Sequence, residues 1–251
     1  MKHEHIGMGV VILTDVISVD NKILTEYIQW LKDNQEETFT IHEEDGVKYA
    51  KNKTGFKFNI SDILMAPQRF LDLKGANCQD KPKQEWLDLI SLFESAIYSA
   101  LVQYCKIFPD ASTTSWWRPH GHIAAYAVDQ RIGPHCDDQV PHEWGQIPGN
   151  QVSLYNSTSI NLYLNNCGEH YEGGELRFPN MDYTYRPQAG SVAIYPSNYL
   201  GRHEVLPVTS GERYAYLSVS SYGVSFDGDE YVGKENPHKI WMPNLIKDMS
   251  L

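Results

Sequence analysis

Cysteine is scarce. Four occur in 251 residues, at Cys78, Cys105, Cys136 and Cys167, and no two stand in a C-x-x-C spacing. That argues against a zinc-ribbon site and against a disulfide framework. Reduced, structural thiols in a cytoplasmic protein are the expectation. Positive charge is also short: 21 Lys and Arg against 32 Asp and Glu leave a net charge of −11. Nucleic acid and anionic membrane surfaces both draw on surplus cations, and are thereby disfavoured as partners. Long apolar runs are missing too. The opening "MKHEHIGMGVVILTDVIS" holds one short apolar run with Asp15 behind it, so neither a signal peptide nor a membrane span is expected. No repeat, low-complexity tract or linker-like stretch breaks the chain. A single domain over 1–251 is expected, long enough to bury a core without covalent staples. No oligomeric state is read from the sequence.

Tyrosine is plentiful, 16 in all, and it favours strands. The texture divides near residue 115. Before it, "GVVILTDVIS" reads as a strand and "VDNKILTEYIQWLKDN" as a helix capped by Asp20, with Ile23, Tyr27, Ile28 and Leu31 on one face. "KYAKNKTGFKFNI" reads as a strand pair. Residues 83–107 carry the longest helical pattern, with Trp86, Leu89, Ile90, Phe93, Ile97 and Leu101 as a core stripe that Pro109 ends. After 115, short β-rich runs such as "HIAAYAV", "SINLYLN", "SVAIYP" and "RYAYLSVSSYG" alternate with Gly, Pro and Asn. That spacing predicts a barrel or sandwich. The layout is a mostly helical support region (1–114), a β core (115–222) and an irregular tail (223–251).

The chemistry begins at "GPHCDD", residues 133–138. His135 and Asp137 are two apart, and on a strand such side chains share a face. An imidazole and a carboxylate aimed the same way can sit side by side on one metal ion. Alone, the pair equally suits a polar turn with a surface His. Asp138 would point to the opposite face, and Cys136 would turn away. Further on, "GRHEVLPVTSGERYAYLSVS" puts His203 in a strand-like run and Arg213 after a turn at Gly211. Two histidines and one carboxylate form the facial triad of non-haem Fe(II) oxygenases, which leaves coordination positions open. An Arg nearby suits a carboxylate-bearing ligand, because its planar fork gives two parallel hydrogen bonds.

The ordered series His135-x-Asp137, "YLN" (163–165), "EGGELRFP" (172–179), "AGSVAIYP" (189–196) and "HEVLPVTSGERYA" (203–215) resembles the Fe(II)- and 2-oxoglutarate-dependent dioxygenases, in their prolyl 4-hydroxylase-like branch. The resemblance spans about 115–222. It implies a double-stranded β-helix, a jelly roll flanked by helices, with the metal at its open end. It implies Fe(II) held by His135, Asp137 and His203, 2-oxoglutarate held by Arg213 and Tyr163, dioxygen as co-substrate, and ascorbate as a candidate reductant. Tyr126 is the position that would touch the co-substrate. The implied reaction hydroxylates an unactivated C–H bond while 2-oxoglutarate is oxidatively decarboxylated to succinate and carbon dioxide. Peptidyl proline is the leading substrate. A free amino acid or small metabolite, or a jelly roll that binds metal without turnover, are the alternatives.

Other residues are weighed beside these. In "SINLYLN", alternation puts Ile160, Leu162 and Leu164 on one face and Ser159, Asn161 and Tyr163 on the other. A polar interior set makes sense where the barrel interior is a site, so Asn161 is a candidate for substrate contact. His142 and Trp144 lie in the long connection 138–158, which reads as a lid or binding loop. "PHGH" (119–122) offers a rival H-x-H pair but no following Glu, so it reads as structural. His170 reads as exposed. Trp116 and Trp117 read as packing at the helix–barrel junction.

Overall fold

The computed structural model describes residues 1–34, 39–44, 47–52, 57–59, 69–71, 82–138, 154–223 and 239–250. In chain order the elements are β1 (Lys2–Gly7), β2 (Val10–Thr14), α1 (Asn21–Asn34), β3 (Phe39–Glu44), β4 (Val47–Asn52), β5 (Lys57–Asn59), β6 (Arg69–Leu71) and α2 (Gln84–Ile107). Then come β7 (Trp117–Pro119), β8 (His122–Tyr126), β9 (Ile132–His135), β10 (Leu154–Tyr163), β11 (Tyr171–Gly173), β12 (Leu176–Phe178), β13 (Tyr183–Tyr185) and β14 (Val192–Pro196). The last are β15 (His203–Val205), β16 (Val208–Gly211), β17 (Arg213–Gly223), β18 (Lys239–Trp241) and α3 (Leu245–Asp248).

The main sheet runs β1-β2-β14-β10-β17-β7-β18, with β8 also paired to β17 and β6 to β8. A second sheet, β13-β12-β15-β9, faces it. The pairings are antiparallel. This is the expected jelly roll. Its interior is filled from both sheets: Val10, Ile12, Ala124, Tyr126, Tyr163, Ala193, Tyr195 and Ala215 from one, Leu176, Phe178, Tyr185 and Val205 from the other.

Strand parity makes the other face of the main sheet apolar as well. Val11, Leu13, Ile123, Ile160, Leu162, Leu164, Val192 and Ile194 pack outward against α1 and α2. The expected helical stripes supply the other side, with Tyr27, Ile28 and Leu31 from α1 and Trp86, Phe93, Ile97 and Leu101 from α2. Each aliphatic side chain fully buried there stabilises by roughly 1.5–3 kcal/mol. Asp20 caps α1 as expected, accepting from the amides of Lys22 (2.9 Å) and Ile23 (3.1 Å).

The strand expected in "GVVILTDVIS" forms as β2, and β1, β2 and β6 join the main sheet beside helices α1 and α2 of residues 1–114. The apolar run of β2 needs a hydrogen-bonded neighbour as well as a helix to cover it. Two expectations need correction. The tail is not wholly irregular: β18 pairs with β7, and Leu245 of α3 is buried in the helix-side core. Of the two tryptophans, Trp117 is buried on β7 but Trp116 is 48% exposed. Trp116 lies in the bend before β7 begins, outside the ladder that holds Trp117. No helix among the described residues is long and apolar enough to cross a membrane.

Candidate metal centre

His135 ends β9 and His203 opens β15, and the two are register partners across that ladder. Their ring centroids are 4.4 Å apart. Asp137 follows β9 by two residues and brings Oδ1 to 3.3 Å from His135 Nε2 and 3.9 Å from His203 Nε2. Each of the three offers a ligand atom, and these atoms lie within 4.8 Å of one another.

The local sequence aims both rings. His135 and His203 each sit two residues after a glycine, in "GPH" and "GRH". His135 Nδ1 bonds to the carbonyl of Gly133 at 2.8 Å, and His203 Nδ1 to that of Gly201 at 3.0 Å. A carbonyl only accepts, so both Nδ1 atoms carry the proton and both Nε2 atoms turn to Asp137. That is the tautomer a divalent metal needs. Ser159 Oγ donates to Asp137 Oδ2 at 2.5 Å, and Asn156 Nδ2 to the Asp137 carbonyl at 3.0 Å.

Electrostatics favour a carboxylate here. Burial alone would raise the Asp137 carboxyl, but the two imidazoles and the Ser159 hydroxyl hold it well below the ordinary range. Burial pushes His203 down to about 4, which keeps it neutral near pH 7. His135 is also penalised by burial, yet its bond to Asp137 leaves it raised. A metal would displace that proton. The donor set of two oriented imidazoles and one ionised carboxylate therefore fits a divalent iron with positions left open.

The interior parity of β10 carries the site inward. Asn161 Nδ2 donates to the Tyr195 hydroxyl at 2.9 Å, and Tyr195 stands 3.1 Å from His203 Nε2. Deeper in, Arg213 opens β17 opposite Tyr126 of β8. It is 1% exposed. Its guanidinium carbon lies 4.8 Å over the Tyr126 ring and 5.4 Å from the Tyr163 ring centre. Burial lowers its affinity for the proton, but Tyr171, Tyr163 and Tyr126 around it leave the pKa raised. Burial in turn keeps these phenols protonated, pushing Tyr126 to about 12 and Tyr163 higher still. Arg213 Nε and Nη1 and the hydroxyls of Tyr163 and Tyr171 are buried with no hydrogen-bond partner. Leaving one such donor unmade costs about 1–3 kcal/mol, and more for a charged group. A pocket of unmet donors around a fixed cation fits a carboxylate.

The structure thus brings together His135, Asp137 and His203, and separately Arg213, Tyr163 and Tyr126. Asn161 borders the first group through Tyr195. His142 and Trp144 lie outside the described residues. Asp138 takes no part in the cluster. Its amide donates to the Ser197 carbonyl at 3.1 Å, and Cys136 is likewise absent from the metal-ligating set. His120 of "PHGH" lies 3.5 Å from Glu94, a structural setting as expected. His170 is half-buried rather than exposed, because its Nδ1 accepts from the Asn166 amide at 3.2 Å.

Three residues at the site were not singled out for it: Ser159, Tyr195 and Tyr171. Ser159 was readable as inward-facing from alternation. Tyr195 shares interior parity with Ala193 in "SVAIYP". For Tyr171, adjacency to "EGGEL" is the one signal.

Residues 121–218 match the family model of the 2OG-Fe(II) oxygenase superfamily. Among curated proteins, a PKHD-type hydroxylase of Saccharophagus degradans is 36% identical over 132 residues, covering 51% of this chain and 49% of the relative. A PKHD-type hydroxylase of Synechococcus sp. (strain JA-2-3B'a(2-13)) is 33% identical over 98 residues, covering 38% and 40%. The chain therefore spans less than half the length of these relatives. Among solved structures, a Trichoplax adhaerens prolyl hydroxylase, in complex with a hypoxia inducible factor oxygen degradation domain peptide fragment, superposes with a TM-score of 0.53. Identity is 16%, over 85% of this chain and 84% of that one. That likeness is one of fold.

Proposed function

We propose that this chain, which carries the 2OG-Fe(II) oxygenase pattern over residues 121–218, is an iron(II)- and 2-oxoglutarate-dependent hydroxylase. One observation carries the reading. A two-histidine, one-carboxylate cluster shares a barrel interior with a buried arginine whose Nε and Nη1 have no acceptor. A metal-binding jelly roll without turnover needs the first feature and has no use for the second.

In this reading His135, Asp137 and His203 hold the iron through two Nε2 atoms and a carboxylate oxygen. Gly133 and Gly201 fix the rings, and Ser159 fixes the carboxylate. Arg213 takes the distal carboxylate of 2-oxoglutarate with Tyr163 beside it, while the Tyr126 ring keeps the guanidinium in place and borders the co-substrate. Bound there, iron with 2-oxoglutarate and dioxygen supplies the oxidising chemistry that yields succinate, carbon dioxide and a hydroxylated C–H bond. The protein's share is placement and exclusion of water. Phe178 sets its ring 6.2 Å from that of His203 in the buried interior, and Tyr195, held by the Asn161 amide, sets its hydroxyl against His203.

For the substrate we propose a peptidyl proline, on the prolyl 4-hydroxylase-like motif series. The test is succinate release from 2-oxoglutarate by the Fe(II)-loaded chain, read together with the mass of a proline-bearing peptide. The reading expects succinate from the wild type, none from Asp137→Ala, and one added oxygen on the peptide. Succinate with oxygen on a free amino acid instead would move the substrate class and leave the reaction standing. No succinate under any of these conditions would remove the hydroxylase reading.

A further inference from the structure

Tyr171 lies outside the expected site, yet its chemistry repeats that of Tyr163. It opens β11, which pairs with β16 rather than with either barrel sheet, so that Tyr171 faces Gly211, two residues before Arg213. It is 2% exposed, and its hydroxyl has no hydrogen-bond partner. Gly174 shows how tightly it converges on Arg213. A Cβ there would meet Arg213 Cδ at 2.9 Å and Tyr171 Cε2 at 3.3 Å. The arginine stem and the tyrosine ring therefore close over the same glycine. The Tyr171 phenol stays protonated, since burial raises it far above its usual range, so it is a donor.

The pocket thus holds four kinds of unmet donor: Arg213 Nε, Arg213 Nη1, the Tyr163 hydroxyl and the Tyr171 hydroxyl. A carboxylate has two oxygens and about four lone-pair sites, and accepts only. Its lone pairs are enough to accept one bond from each of these four atoms, Tyr171 included. We infer that Tyr171 is a further binding residue, donating its hydroxyl to the carboxylate that Arg213 holds. It would set the site's preference for a co-substrate with a distal carboxylate. The inference rests on the 2-oxoglutarate reading above.

The test uses the full chain loaded with Mn(II), which binds oxygen and imidazole ligands without driving turnover. Calorimetry measures 2-oxoglutarate affinity, and thermal melts are run with and without 2-oxoglutarate. The variants are Tyr171→Phe and, as a control, Tyr185→Phe. The control removes a buried hydroxyl that is already satisfied by Ser191 at 2.7 Å. Tyr171→Phe should weaken 2-oxoglutarate roughly tenfold or more, the usual effect of losing a hydrogen bond to a charged group. It should leave the ligand-free Tm equal or higher, because the hydroxyl it removes was unpaired. Tyr185→Phe should keep wild-type affinity. Affinity within twofold of wild type in Tyr171→Phe would overturn the inference while leaving the co-substrate reading intact. So would a lowered ligand-free Tm at unchanged affinity, which marks a structural hydroxyl. A wild type that does not bind 2-oxoglutarate would sink the reading and this inference with it.

Discussion

His203 stands opposite His135 in the β15–β9 ladder, and each ring leans back on the carbonyl of the glycine two residues before it. The two imidazoles are thus fixed twice, by strand register and by their own backbone. Asp137, two residues beyond His135, closes the triangle. His203→Ala or Asp137→Ala should each abolish measurable metal binding at micromolar Mn(II). Ser159→Ala leaves all three ligands in place and removes the hydrogen bond to Asp137 along with one to Ser197, and should weaken metal binding by roughly 10–100-fold. Calorimetry on the three variants checks the order, and equal losses in all three would deny Ser159 a supporting place.

Gly201 supplies the carbonyl that orients His203, and a Cβ on it would come within 1.9 Å of the Pro196 carbonyl oxygen. Gly201→Ala must therefore move the backbone that aims the ring. We expect a loss of metal affinity of at least about tenfold in a protein that still folds, read by Mn(II) titration beside circular dichroism. Wild-type affinity would show that the ring is held by register alone.

Arg213 tests the second half of the site. Arg213→Ala should raise the 2-oxoglutarate requirement by about 100-fold or more, since a charge-assisted bidentate pair is lost. Arg213→Lys should recover part of it, because Lys keeps the charge and loses the planar fork. His170→Ala should change neither metal nor 2-oxoglutarate affinity, since His170 bonds to Asn166 and Asn21 rather than to either cluster.

Much of this was legible because strands enforce parity. The alternation of "SINLYLN" separates Ile160, Leu162 and Leu164 from Ser159, Asn161 and Tyr163, and the structure keeps that separation. The i, i+2 spacing of His135 and Asp137 marked the pair, but the expected shared strand face did not form: β9 ends at His135, and Asp137 sits in the turn that follows. Tyr171 was not legible, because its role depends on β11 lying against β16, a pairing between segments nearly forty residues apart. Trp116 was misjudged because it was grouped with Trp117 by type, although it lies in the bend before β7 begins. β18 was missed in a tail read as irregular, and the sheet that β2 joins was not read. A short apolar run reveals that it is a strand, but not which sheet edge accepts it.

Away from the site, Glu94 of α2 accepts from Arg118, from the Tyr216 hydroxyl and from the Gly121 amide. Burial alone would raise its carboxyl, but the Arg118 charge and these hydrogen bonds leave it lowered. Its folded pKa lies below the unfolded one. Its contribution to stability is therefore complete above the unfolded value and fades as pH falls through the folded value. Glu94→Gln should cost about 3 kcal/mol at neutral pH, as for a broken buried ion pair. The gap from wild type should narrow on acidification below about pH 4.5. Urea unfolding at several pH values checks this, and a gap independent of pH would contradict it.

The most direct measurement is anaerobic. Fe(II) and 2-oxoglutarate are added to the full chain and the visible spectrum is recorded. The account predicts a charge-transfer band that requires both additions, is lost in His203→Ala and Asp137→Ala, and needs far more 2-oxoglutarate in Arg213→Ala. Iron binding with no band at saturating 2-oxoglutarate would contradict it.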